Sequence, residues 1–486
     1  MTDTLAPVKP ARLIINGEAV DAVSGATFTT SNPATEEPIC EVAQAGPEDV
    51  DRAVKAARAA FEGAWGKMKP AERQRILWKL GDLILEHADE IARLETLDNG
   101  KPIFESRQID IPTVAGCFHY FSGWATKITG ETIPVNPATF TFTVREPLGV
   151  VGAIIPWNFP MNMVGWKVAP ALAAGNCVVL KPAAETPLSA VRIGELALEA
   201  GLPAGAFNVL PGPGSTAGAA LVRHPGVDKI TFTGSTEVGK EIMREAAAGV
   251  KKVTLELGGK SPNIVFADAD LDAAVRGAYN GIFYGKGEVC AAGSRLLVEK
   301  SVHDEFLAKL VERTRKLVPG DPLDPKTRLG PLINEKQMKT VLGYVETGVA
   351  EGAALAVGGK RQPVNGKGYF VQPTVLSGVN NRMRVAQEEI FGPVLAVIPF
   401  EGVDEAVAIA NDILYGLAAG VWTRDVKRAH AVARRLAAGT VWVNMYNFYD
   451  PAMPFGGFKG SGFGRDLGAD GVREYTQLKS VWMNIE

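Results

Sequence analysis

LGVVGAIIPWNFP (148–160), CVVLKPA (177–183), FNVLPGPG (207–214), KITFTGS (229–235) and KVTLELGG (252–259) are five apolar runs broken by glycine, proline or a polar residue. The runs end at Ile155, Lys181, Leu210, Thr233 and Leu257. Between them lie stretches of helical periodicity, at about 161–174, 188–200, 216–223 and 236–248. Strand and helix in strict alternation, with strands nearly all apolar, predict a parallel sheet covered by helices on both faces. Ligands of such sheets bind outside the carboxyl ends of the strands. The residues just past each run are therefore the ones that carry chemistry.

Outward from this block the pattern repeats. After Cys290, residues 295–298, 394–400, 418–422 and 441–444 read as strands, and 303–317, 405–411 and 426–436 as helices. This is a second α/β domain, as expected for 486 residues, too many for one core. On the N-terminal side, Pro47 opens a helix with Val50, Val54, Ala57 and Phe61 on one face. A single helical stretch from about 71 to 95 carries Ile76, Leu80, Leu83 and Ile84. Residues 127–145 alternate apolar and polar like a two-stranded ribbon, and 481–485 form a last strand. Neither has a partner in its neighbourhood, and open edges commonly pair with another subunit.

Composition narrows the function. Charged residues make up 22% of the chain and the net charge is −3, with no basic block, which argues against nucleic acid or an anionic membrane as partner. No run reaches the ~18–20 apolar residues of a membrane span, and the first nine residues lack a signal-peptide pattern. The four cysteines, Cys40, Cys117, Cys177 and Cys290, are scattered, which predicts reduced thiols and a cytoplasmic protein. The five histidines stand alone, so no metal site is expected.

Few polar residues interrupt the apolar pattern. Lys181 closes a strand, where an amine suits a ribose hydroxyl or phosphate, or simply reaches solvent. Gly234-Ser235 precedes a helix and offers a diphosphate seat, or only an N-cap. The run Gly212 to Gly218 resembles a dinucleotide fingerprint with one residue too many, a weak signal that reads as a tight strand-to-helix turn. Glu256 is an acid in an apolar strand, a position that requires a partner or a task. A desolvated carboxylate suits a general base acting on water, and a structural ion pair is the alternative. Cys290 lies between Gly287 and Gly293 in a close-approach loop, whereas Cys177 begins a buried strand. A cysteine among small apolar residues is more often packing than nucleophile, but the flanking glycines favour the nucleophile.

Together these residues resemble the aldehyde dehydrogenase superfamily over essentially the whole chain. The resemblance rests on Pro156-Trp157-Asn158-Phe159-Pro160, Leu180-Lys181-Pro182-Ala183, Phe232-Thr233-Gly234-Ser235 and Leu255-Glu256-Leu257-Gly258-Gly259-Lys260. It continues in Cys290-Ala291-Ala292-Gly293-Ser294-Arg295, Glu388-Glu389-Ile390-Phe391-Gly392-Pro393 and Pro454-Phe455-Gly456-Gly457. It implies two doubly wound domains, a Rossmann-like cofactor domain over 1–126 and 146–257 and a catalytic domain over 258–443. An oligomerisation element over 127–145 and 470–486 would make dimers or tetramers.

The resemblance also implies roles. Cys290 would attack the aldehyde carbon, with the Asn158 amide and the Cys290 N–H holding the oxyanion, about 3–4 kcal/mol per donor in comparable sites. Glu256 would activate the hydrolytic water. Lys181 and Glu389 would hold ribose hydroxyls and Ser235 the diphosphate, with Trp157 and Phe391 lining the cofactor path and Ile155, Glu185, Gly214, Thr233, Gly234 and Leu257 beside it. Phe159, Asn162, Met163, Trp166, Tyr284, Val289, Tyr449 and Phe455 would line an aromatic substrate funnel with no arginine cluster. That suits a medium aliphatic or aromatic aldehyde, a hydroxylated one through Asn162 and Tyr449, or a trimethylammonium one through cation–π contacts.

Three positions depart from the family pattern. Glu288 replaces a frequent glutamine, which should raise the Cys290 thiol pKa unless Lys286 offsets it. Ala184 replaces a glutamate that engages the adenosine ribose, so NADP becomes acceptable beside NAD unless Glu185 takes over. Asp466 replaces a longer glutamate and would alter an auxiliary proton relay. The rival readings are a CoA-acylating semialdehyde dehydrogenase, which generally lacks the Glu256-type base, and a non-catalytic paralogue that keeps the fold.

Overall fold

The computed structural model describes residues 7–486. The five runs form the middle of an eight-stranded sheet, in the spatial order Phe207–Val209, Cys177–Lys181, Val150–Ile154, Lys229–Thr233 and Lys252–Glu256. All five are parallel. The first four are buried at every residue, including the alternating Lys229, Thr231 and Thr233, as a parallel sheet covered on both faces requires. The chain starts at the middle strand, walks to one edge, then returns and walks to the other. The reversal falls between Val150–Ile154 and Lys229–Thr233, and the crevice beyond their carboxyl ends is where such sheets take ligands. Trp157, Asn158, Gly234 and Ser235 stand there. Antiparallel strands flank the block, with Leu13–Ile15 beside Phe207–Val209 and Gly462–Phe463 beside Lys252–Glu256.

The helices follow the sequence reading with one break. The stretch read as one helix over 71–95 is two, Pro70–Glu86 and Ala88–Asn99, parted at His87 (φ −96°, ψ 21°). No glycine or proline marks that turn, so periodicity alone runs through it. The glycine-rich run is a π-helical turn, Gly214–Gly218, leading into Ala219–Arg223. The helix Pro160–Ala173 is buried along its whole length and carries much of the substrate wall.

A second sheet of seven strands has the order Ala354–Val357, Thr374–Ser377, Val394–Phe400, Arg295–Glu299, Pro262–Val265, Ala418–Trp422 and Thr440–Val443. Only Ala354–Val357 runs antiparallel. The ribbon differs from expectation. One long strand, Thr139–Pro147, pairs with the C-terminal strand Thr476–Asn484, from Thr139↔Asn484 to Pro147↔Thr476. Residues 131–133 contribute only two backbone hydrogen bonds, Ile133 N–H to Thr141 O and Thr143 N–H to Glu131 O. Pro134 and Pro137 lack the N–H that would extend this pairing. Among the described residues no helix is long and apolar enough to cross a membrane.

Candidate active site

Cys290 and Glu256 open on one cavity of about 710 Å³ between the two large sheets. Glu256 ends its strand with a side chain only 5% exposed, and neither carboxylate oxygen has a hydrogen-bond partner among the described residues. A structural ion pair is thereby set aside. Burial pushes its pKa well up, the Asp466 charge adds to this, and Lys167 and Arg465 oppose it. Room for the carboxylate comes from Gly456, where a Cβ would stand 2.7 Å from Glu256 Oε1. That accounts for a glycine after Phe455.

Cys290 is half-buried on the cavity wall. Desolvation pushes its thiol up to about 12, with the charges of Glu389 and Glu256 adding to it, while the Ala291 and Cys290 N–H groups pull the other way. For Glu288 the proviso in the sequence reading applies, because Lys286 meets its charge. The Glu288 carboxylate lies 2.8 Å from Lys286 Nζ, and its Oε1 accepts the Ile333 N–H at 3.0 Å. The chain reaches Cys290 through three consecutive left-handed residues, Gly285 (φ 57°), Lys286 (φ 64°) and Gly287 (φ 73°). A Cβ on Gly287 would lie 2.2 Å from Gly392 O, and one on Gly259 2.2 Å from Cys290 O. Glycine is required at both close approaches.

Asn158 is buried beside this loop, its Nδ2 donating to Glu288 O at 2.9 Å. An amide carries two N–H groups, so one remains for an oxyanion. Asp466 is already engaged, accepting from Lys167 Nζ at 2.8 Å. Its effect on the site therefore passes through the Lys167 pair and the field at Glu256.

The wall matches the predicted funnel. Phe159, Asn162, Met163, Trp166, Tyr284, Val289, Tyr449 and Phe455 all line the cavity. Trp166, Tyr449 and Phe455 form a three-ring cluster with centroids 5.2–5.8 Å apart, and Phe159 stacks on Tyr284 at 6.0 Å. Asn162 donates from Nδ2 to Asp110 Oδ1 at 2.8 Å, and its own Oδ1 is buried without a hydrogen-bond partner among the described residues. Residues that the sequence reading missed also line it, notably Glu105, Tyr279, Arg313 and Arg328. Arg313 lies 4.7 Å over the Tyr279 ring and Arg328 4.2 Å over Phe104. The sequence reading saw no arginine cluster, and the two arginines that reach the wall lie over different rings. They come from a helix and a loop with no site signal, and only the fold brings them to the funnel.

The cofactor candidates gather at the carboxyl ends of the first sheet. Lys181 is 6% exposed, its amine makes no hydrogen bond among the described residues, and burial brings its pKa down to about 8. Ser235 caps the helix Thr236–Ala247, accepting the Val238 N–H. Gly214 opens the π-turn with nothing within 4 Å of a Cβ placed there. Ile155, Thr233 and Leu257 are buried at strand ends, and Glu185 is exposed two residues past Pro182-Ala183. Glu389 Oε1 accepts the Gly259 N–H at 2.9 Å, and burial raises its carboxyl to about 7. A Cβ on Gly258 would strike Glu389 Oε2 at 2.3 Å, which explains the first glycine of the Gly258-Gly259 pair. Trp157 and Phe391 meet edge to face at 5.2 Å.

The model of the aldehyde dehydrogenase family matches residues 20–481. Human retinal dehydrogenase 2 is 50% identical, with 98% of this chain and 92% of that protein covered. Human mitochondrial aldehyde dehydrogenase is 49% identical over the same shares. The NAD+ complex structure of an aldehyde dehydrogenase from Bacillus cereus superposes with a TM-score of 0.97 at 50% identity, covering 98% of this chain and 97% of that one.

Proposed function

The chain belongs to the aldehyde dehydrogenase family, and from that premise we propose that it oxidises an aldehyde to its carboxylic acid with Cys290 as nucleophile, NAD as hydride acceptor and Glu256 as base. One observation carries the reading. The thiol and a buried carboxylate with both oxygens unpartnered open on the same aromatic cavity.

Cys290 attacks as the thiolate, its proton leaving to solvent through the open cavity, and the raised pKa of Glu256 suits that carboxylate to the later water step. The sulfur then bonds the carbonyl carbon, and the oxygen that takes the electron pair is held by Asn158 Nδ2 and the Cys290 N–H. NAD, when bound, supplies the acceptor for the hydride whose departure leaves a thioester on Cys290. Glu256 next takes a proton from water, whose oxygen attacks the thioester carbon and expels the Cys290 thiolate with the acid. The Glu256 base favours this hydrolysis over transfer to coenzyme A.

The free amine of Lys181 and the fixed carboxylate of Glu389 suit ribose hydroxyls, and the Ser235 helix start and open Gly214 turn suit a diphosphate. At position 184 the acid that disfavours a 2′-phosphate is replaced by Ala184, and Glu185 is exposed. Both NAD and NADP are therefore expected to support turnover. Comparing kcat/KM for the two cofactors checks this, and a preference for NAD above about a thousandfold, or ~4 kcal/mol, would sink it.

The substrate is an apolar aldehyde of medium size, aliphatic or aromatic, packed against Trp166, Tyr449 and Phe455. Absorbance of the reduced cofactor across an aldehyde panel tests the whole reading, and no turnover at any pH overturns it. The four cysteines are free thiols, which suits a reducing compartment such as the cytoplasm.

The strand pair Thr139–Pro147 with Thr476–Asn484 is the oligomerisation element. It leaves Phe140, Leu478, Trp482, Met483 and Ile485 exposed, with Trp482 at 64%. Dimers or tetramers are expected, and Trp482→Asp with Leu478→Asp should yield a smaller species by sedimentation. An unchanged sedimentation coefficient removes the ribbon from the interface.

A further inference from the structure

Two segments far apart in sequence must meet for the site to work. One is Trp157-Asn158, which carries the oxyanion donor. The other is the loop from Tyr284 to Cys290, which carries the nucleophile. A closed circuit of buried polar groups ties them. Asn158 Nδ2 donates to Glu288 O at 2.9 Å. The Glu288 carboxylate lies 2.8 Å from Lys286 Nζ. Lys286 Nζ donates to Asn99 O at 2.8 Å and to Asn99 Oδ1 at 3.0 Å. Asn99 Nδ2 returns to the first segment, donating to Trp157 O at 2.6 Å and Asn158 O at 3.4 Å. Asn99 and Glu288 are fully buried and Lys286 nearly so.

The circuit has features that packing alone does not require. Lys286 holds a left-handed backbone between two left-handed glycines, a conformation that persists only where the surroundings impose it. Its ammonium donates two hydrogen bonds to Asn99 and lies in an ion pair with Glu288. The two charges compensate each other in a site where either alone would be left buried and unpaired. Oxyanion stabilisation in turn depends on a donor held in place before the charge develops.

We propose that Lys286, Glu288 and Asn99 are positioning residues that lock the Asn158 amide to the Cys290 loop, presetting the oxyanion donor against the thiol. This rests on the reading of Cys290 and Asn158 as the reacting pair. Glu288, which departs from the family pattern, is thereby one half of a matched device with Lys286.

The test compares Lys286→Gln, Glu288→Gln and the double variant, in which two neutral amides replace the ion pair. Each single variant should lower kcat/KM for the aldehyde at least about tenfold, since small misplacements of reacting groups cost up to about a hundredfold. Each should also change the rate of Cys290 alkylation by iodoacetamide, while Kd for NAD stays within about twofold. The double variant should recover most of both losses. Singles that turn over and alkylate like wild type overturn the proposal, as does a double variant no better than the worse single. If a single variant does not fold, Asn99→Ala carries the test with the same readouts, because it keeps both charges and removes the amide whose Nδ2 reaches Trp157 O and whose Oδ1 accepts from Lys286 Nζ and the Lys101 N–H. The underlying reading fails separately, by turnover in Cys290→Ala.

Discussion

Cys290→Ala lowers kcat/KM for every aldehyde by at least about 10⁴-fold, the scale seen when a covalent nucleophile is removed. No other thiol can substitute. Cys117 and Cys177 are buried and burial holds their thiols up. Cys40 sits in the strand Pro38–Ala43, pushed up to about 11. Cys290 alone lines the cavity that Glu256 shares. The substitution removes one half-buried sulfur, so NAD affinity and melting temperature should stay near wild type. A second readout fixes the state of the thiol. Only the thiolate reacts with iodoacetamide, and Cys290 is pushed up to about 12, so alkylation of the wild type should accelerate steadily as pH rises above neutral. Residual turnover above about one part in a hundred would point to another nucleophile and would end the covalent reading.

The five parallel strands of the first sheet were legible because each is a largely apolar run stopped by a glycine, a proline or a lysine. Burial on both faces writes itself into sequence in that way, and the site candidates followed because they sit at the stops. Cys290 and Glu256 were visible as polar groups in apolar company. The pairing of Thr139–Pro147 with Thr476–Asn484 was not visible, because its two strands lie far apart in the chain and neither names its partner. The Lys286 counter-charge to Glu288 was legible from their spacing, whereas the left-handed backbone of Lys286 between Gly285 and Gly287 was not, since a lysine rarely adopts it. Arg313 and Arg328 carry no motif at all. Their place at the funnel is a product of how helix and loop pack on the second domain.

Glu256→Gln should lower kcat by about 10³-fold, within the usual range for loss of a general base. If Glu256 activates water, the variant stalls as a thioester, and mass spectrometry of the quenched enzyme should find the acyl group on Cys290. Unchanged kcat would mean that the acyl group leaves to an acceptor needing no such base, as coenzyme A does. The pH dependence has a definite sign. Glu256 acts only when deprotonated, and its pKa is raised in the folded protein, so wild-type activity should fall as pH drops through that raised value. Stability runs the other way. In the unfolded chain the carboxyl titrates near its ordinary 4.5, whereas in the fold it keeps its proton well above that. The folded state therefore binds the extra proton between these two values, and stability is lost as pH rises through that window. A glutamine side chain has no such proton to lose, so Glu256→Gln should match wild type below about pH 4 and melt at a higher temperature at neutral pH. A variant that loses both activity and stability would indicate a damaged fold. One that loses activity while gaining stability at neutral pH marks a carboxylate kept in an unfavourable place because the reaction uses it there.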